Sequence, residues 1–353
     1  MADYSVAQNN LYNTFGYGYN NPSFKSALIT QKSNNVTSQT QQTDTVSIST
    51  KNQVQAEPNK KGLSKSAKWG FGTSAILGLG ALAYVLTRCK TKPKIADEAM
   101  NKLNNLVADG NMDKQYLDIF IETYGKEGKS FIKEVYNRLV KTMGYNKHKP
   151  KLNIVNIYKS SSAGSNRITI SLKAFPTKEE QVDAIRHELE HFRQHELVYR
   201  SFGREAYINA RIEPSITILK LSDEKCIEKF GKTFKELSTS ELEAYKTKVR
   251  TEVESKLQIL EDLLKEKGGI PSTSAEYAEA EKYLQAMKEY VTPTAIWGHE
   301  PGVFTRLATE VPEQYKLAQD LLKKYANLAN EQGAIGEGTK IKDMYKLFIE
   351  TIA

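Results

Sequence analysis

Residues 176–200 read PTKEEQVDAIRHELEHFRQHELVYR, and the fold turns on how this stretch is understood. Thr177 followed three residues later by Glu180 is a capping box, with Pro176 just ahead of it. Val182, Ile185, Leu189 and Phe192 then recur at i, i+3, i+7 and i+10, which predicts an amphipathic helix over about 178–200. Inside it stands His187-Glu-Leu-Glu-His191, an HExxH pattern. Positions four apart share a helix face, so the two imidazoles can reach one metal ion while Glu188 reaches the water bound to it. Arg186, Glu190, Arg193 and Gln194 surround the pair, which sets the histidines beside the apolar stripe and not inside it. An intramembrane protease would carry this motif in an apolar span, and so charged a helix excludes that class.

Upstream, Leu152–Tyr158 and Arg167–Leu172 are short β-branched runs separated by the turn-rich segment Lys159–Asn166. They predict a small sheet packed on the motif helix. Strand, loop, strand and HExxH helix together resemble the zincin metallopeptidases over roughly residues 150–200, in which an edge strand beside the motif helix aligns an extended substrate. The resemblance implies a Zn²⁺ cofactor, hydrolysis of a peptide or protein substrate, and Glu188 as the base that takes a proton from the metal-bound water and passes it to the leaving amine.

Catalytic zinc generally takes three protein ligands, so a residue outside the motif must join His187 and His191. His195 lies eight residues from His187, about 12 Å along a helix, and is too far to share a tetrahedron. The metzincin extension with a third histidine is absent. A gluzincin-like arrangement, with a glutamate from a later helix, is what the resemblance then implies. Glu313, in Val311-Pro-Glu-Gln-Tyr-Lys-Leu-Ala318, is the preferred ligand, because such families set it in a Pro/Asn-x-Glu-x-x-Ala-like context; Glu276, Glu213 and Glu310 stay open, and Glu205 is close to the motif. His299, Tyr290 and Tyr315 are the candidates to assist at the attacked carbonyl.

Away from the motif, composition divides the 353 residues. Residues 1–64 are rich in Asn, Gln, Ser and Thr and read as a disordered polar tail. Residues 69–87, WGFGTSAILGLGALAYVLT, carry no charge and would reach about 28 Å as a helix, close to the roughly 30 Å hydrocarbon thickness. With basic flanks they form an expected transmembrane anchor at 65–94, and Gly70, Ser74 and Gly78 offer a small-residue face for a homodimer. Four lysines before the span face three lysines and Arg88 after it, so positive charge does not orient it. The net charge of +8 resides in residues 1–94; Lys+Arg and Asp+Glu balance over 95–353, which speaks against nucleic-acid binding there. Two cysteines indicate no disulfide framework.

Residues 95–353 are thus expected to form a predominantly α-helical α+β domain. Helical patterns fill 95–145 with breaks at Gly125 and Gly128. A long charged helix opens at Ser238 and ends at Gly268-Gly269, another opens on Thr273 and Glu276, and a further one starts near Pro312 and runs through Tyr325. The leading expectation is a membrane-anchored zinc peptidase, single-pass, with the side of its catalytic domain undetermined. The alternative is a zincin-like helical domain that has lost catalysis and serves as a membrane-tethered adaptor.

Overall fold

The computed structural model describes residues 94–156, 161–298 and 302–353. The expected polar tail and transmembrane span lie outside these residues, as does His299. Among the described residues no helix is long and apolar enough to cross a membrane.

Three helices come first: α1 (Asp97–Ala108), α2 (Lys114–Thr123) and α3 (Gly128–Thr142). A three-stranded sheet follows, β1 (Lys151–Val155), β2 (Ser162–Ala163) and β3 (Arg167–Ser171), in the order β1-β3-β2. β1 runs parallel to β3, with Leu152 opposite Ile168 and Ile154 opposite Ile170. β2 pairs antiparallel to β3 at the other edge, inside the segment expected to be only turn. Ile168 and Ile170 alternate onto one face and are fully buried, the period-2 pattern of a sheet covered on one side.

Everything then packs around α4 (Lys178–Leu221). Its start is the capping box read from the sequence: the Thr177 hydroxyl accepts from the Glu180 amide at 3.2 Å, and the Glu180 carboxylate accepts from the Thr177 amide at 3.0 Å. The helix runs past the expected end and breaks at Gly203, whose φ of 77° is a conformation glycine adopts without steric cost. α4 is also more deeply set than an amphipathic helix. Arg186, Glu188, Glu190, Gln194 and Glu196 on its polar side are all buried. The charged network tolerates this because it is paired: Arg186 donates to Glu190 at 3.0 Å and to Glu337 at 2.6 Å, Arg193 to Glu190 at 2.7 Å, and Arg200 and Lys267 to Glu196 at 3.0 and 2.9 Å.

The chain continues through α5 (Asp223–Phe230), α6 (Thr239–Glu254), α7 (Gln258–Lys267) and α8 (Ala275–Lys288). α6 and α7 replace the single long helix expected from Ser238. The chain turns at Ser255–Leu257, which sends Leu257, Leu260 and Leu263 into the main core while Tyr245 of α6 stays with a smaller cluster. At α8 the cap is Ser274, which accepts from the Tyr277 amide, and not the expected Thr273. Short helices α9 (Pro293–Trp297) and α10 (Val303–Glu310) lead to α11 (Pro312–Ala326), at the place read from its proline.

The last helix, α12 (Ala329–Ile352), has no counterpart among those expected from the sequence. Gly333, Gly336 and Gly338 lower its intrinsic helicity, and a Cβ would be crowded at two of them. A Cβ at Gly333 would lie 3.2 Å from the Gln194 amide nitrogen and 3.2 Å from the Tyr283 hydroxyl. At Gly338 it would overlap the Asp183 carboxylate and sit 3.1 Å from the Asp183 backbone carbonyl. The glycines therefore bring α12 close against α4, and Ala334, Ile341, Tyr345 and Phe348 complete its buried face. The outward Gly336 has open space around its missing Cβ. Gly336→Ala should thus stabilise the fold by about 0.5–1 kcal/mol, whereas Gly338→Ala should destabilise it by about 1–3 kcal/mol through overpacking, less any helical gain. Urea unfolding of the two variants reads the opposite signs; equal stabilisation by both would refute the close α4–α12 contact.

Candidate metal centre

The local rise of a helix sets His187 and His191 one turn apart on α4, with ring centroids 4.7 Å apart and planes nearly perpendicular. Their Nε2 atoms are 3.1 Å from each other. The third member comes from the first turn of α12: Glu331 Oε1 is 3.3 Å from His191 Nε2, and Oε2 is 3.8 Å from His187 Nε2. Among the described residues these three form the group that could hold a metal ion.

The distances fit a small tetrahedral cation. Arms of about 2.0–2.1 Å from zinc to N or O give ligand–ligand edges of about 3.3–3.4 Å; the Nε2–Nε2 and His191 Nε2–Glu331 Oε1 separations are 3.1 and 3.3 Å, and His187 Nε2 is 3.8 Å from the other carboxylate oxygen, Oε2. Without a cation, one carboxylate oxygen is left short of partners: Glu331 Oε2 is buried and makes no hydrogen bond. Two imidazoles and one carboxylate are a donor set suited to zinc, and neutral imidazole is the ligating form.

Electrostatics follow from burial. Glu331 is fully buried, yet the His191 and His187 rings outweigh the cost of desolvation and hold its carboxyl below the usual range. Burial and the neighbouring His191 push His187 down to about 3. For His191 burial opposes protonation, but the Glu331 carboxylate prevails and raises it. Burial drives Glu188 up to about 8.

A ring of polar groups orients these side chains. His191 Nδ1 is 3.0 Å from Gln194 Oε1. His187 Nδ1 is buried without a hydrogen bond of good geometry, the Ala334 backbone lying beside it. The Tyr325 hydroxyl interacts with Glu331 and stands 3.1 Å from that of Tyr290. Burial and then the Glu331 carboxylate push the Tyr290 hydroxyl upward, with Glu188 adding to the effect.

The structure does not bring the expected third ligand to the histidines. Glu313 is exposed in the first turn of α11 and does not join the histidines; an acidic residue at a helix N-terminus needs no metal to explain it. Glu276, Glu213 and Glu310 are likewise exposed, and Glu205 is occupied by Arg250 at 2.6 Å. His195 turns to Tyr207, whose hydroxyl is 3.0 Å from its Nδ1. Tyr315 packs in the small cluster of Val303, Leu307 and Ala318. A signal for Glu331 was present: Glu331-Gln-Gly-Ala334, preceded by Asn330, has the Glu-x-x-Ala spacing that Glu313 lacks.

Comparison with protein-family models finds no match, and comparisons with curated proteins and with solved structures find none either.

Proposed function

We propose that this chain is a zinc-dependent peptidase of zincin type, with His187, His191 and Glu331 as metal ligands and Glu188 as general base. The observation that carries the reading is the compact grouping of two Nε2 atoms and a carboxylate at 3.1, 3.3 and 3.8 Å, formed by an HExxH helix and a glutamate from a separate helix. Zinc, when bound, supplies a Lewis acid that lowers the pKa of a coordinated water and carries negative charge on an attacked carbonyl.

The chain's own residues would do the rest. Glu188 follows a ligand directly in the HExxH pattern, and as a carboxylate it would accept a proton from water and return it to a leaving amine. Tyr290 offers a hydroxyl donor beside the same centre, held by Tyr325. β2, at the edge of the sheet, offers backbone groups to an extended peptide. On this reading residues 95–353 are the catalytic unit and residues 69–87 its membrane anchor.

Burial of the ligands favours one other reading. Glu331 is 0 % exposed and His187 9 %, so a metal could be held for structure alone in an inactive, membrane-tethered adaptor. Turnover separates the two readings, and metal content tests what they share. The full chain should carry one zinc, and His187→Ala/His191→Ala should carry none; a folded wild type that takes up no zinc on reconstitution would sink the proposal. Tyr290→Phe is expected to keep its zinc and to lose about 100-fold in kcat on a cleaved peptide, the scale of one oxyanion donor; unchanged kcat would remove Tyr290 from the mechanism.

A further inference from the structure

We infer that Gln194 is a positioning residue of the proposed metal site, holding His191 in one tautomer with one end of its amide and the start of α12 with the other. The inference rests on the metal-centre reading above. Gln194 lies one turn beyond His191 on the same face of α4 and is 3 % exposed. Its Nε2 donates to the Asn330 backbone carbonyl at 2.8 Å, and its Oε1 lies 3.0 Å from His191 Nδ1.

The direction of this chain of bonds is set by its far end. A backbone carbonyl only accepts, so the amide must present its NH₂ to Asn330. Oε1 then faces His191, and as Oε1 also only accepts, the proton must sit on His191 Nδ1. In the neutral ring Nε2 is left with its lone pair, and Nε2 is the atom 3.1 Å from His187 Nε2 and 3.3 Å from Glu331 Oε1. A backbone group on α12 thereby selects which nitrogen of His191 can bind a metal.

The same amide ties the two halves of the site together. Asn330 immediately precedes Glu331, so the bond that orients His191 also anchors the turn that delivers the third ligand. Gly333 leaves room for this approach: a Cβ there would stand 3.2 Å from the Gln194 nitrogen, close enough that the amide would have to shift. Outer partners of ligating histidines generally change metal affinity by about 10–100-fold.

Two variants divide the roles. Gln194→Met has similar length and loses both bonds. Gln194→Glu keeps an acceptor for His191 Nδ1–H and loses the donor to Asn330. The full chain, with its five histidines labelled with ¹⁵N, permits ring tautomers to be read by NMR without metal at a pH above the raised titration of His191, where the ring is neutral, and zinc affinity can be measured by competition with a chromophoric chelator. Gln194→Met should lose the Nδ1–H signature of His191 and bind zinc about 10–100-fold more weakly. Gln194→Glu should restore that signature and recover part of the affinity. Wild-type zinc binding with Gln194→Met unchanged in both readouts would overturn the inference alone. Equal losses in both variants, with no tautomer difference between them, would reduce Gln194 to a bond between helices and overturn it as well. A wild type that binds no zinc would overturn the metal-centre reading, and the inference with it.

Discussion

Replacing Glu331 by glutamine is expected to weaken zinc binding by more than about 100-fold, beyond the loss of an outer partner, while the same change at Glu313 leaves it unaltered. Glutamine keeps the shape of the side chain, so α12 can still dock, but it removes the charge that faces the two Nε2 atoms at 3.3 and 3.8 Å. A neutral amide is a poor substitute where a divalent cation must be matched by a carboxylate. Stability should report the same loss. At free zinc 100 times Kd the ion stabilises the native state by about 2.7 kcal/mol, so a rise in Tm on adding zinc should appear in wild type and Glu313→Gln and vanish in Glu331→Gln. Equal zinc affinity in wild type and Glu331→Gln would take Glu331 out of the site.

Glu188→Gln is expected to lower peptide hydrolysis by about 10²–10⁴-fold, the usual worth of a general acid–base group, with one zinc still bound. The separation of the two outcomes is the point of the experiment. Glu188 is next to His187 in sequence but is not one of the three grouped ligand residues, so the metal should stay while the proton acceptor is lost. A neutral amide also suits this buried setting, where burial already favours the protonated form of Glu188. Lost zinc in Glu188→Gln would mean that the residue supports the site's structure, and unchanged turnover would mean that another group moves the proton.

Much of the local architecture was legible along the chain, for local reasons. The capping box at Thr177 and Glu180 is formed by residues three apart, and both of its bonds are present. β-branched alternation placed β1 and β3 to within a few residues, and Pro312 placed the start of α11. In each case the residues that carry the signal are also the residues that make the contact. The reading failed where a residue's partner was distant. Polar positions on α4 predicted a solvated face, but Arg186 finds Glu337 and Arg193 finds Glu279, 151 and 86 residues away. Pairing at that range converts a polar surface into a buried one.

The candidate site divides along the same line. His187, Glu188 and His191 follow from helical spacing alone, since 3.6 residues per turn brings i and i+4 together whatever surrounds them. Glu331 does not. Its helix carries three glycines within six residues, which weakens the local helical pattern, and two of these glycines face side chains that a Cβ would crowd, Gly338 most tightly against Asp183 of α4. Helix propensity and close packing make opposite demands at Gly333 and Gly338, and packing prevailed. The motif helix was therefore written in the order of the residues, whereas the third member of the candidate group was decided only when a glycine-bearing helix from the end of the chain closed on the histidines.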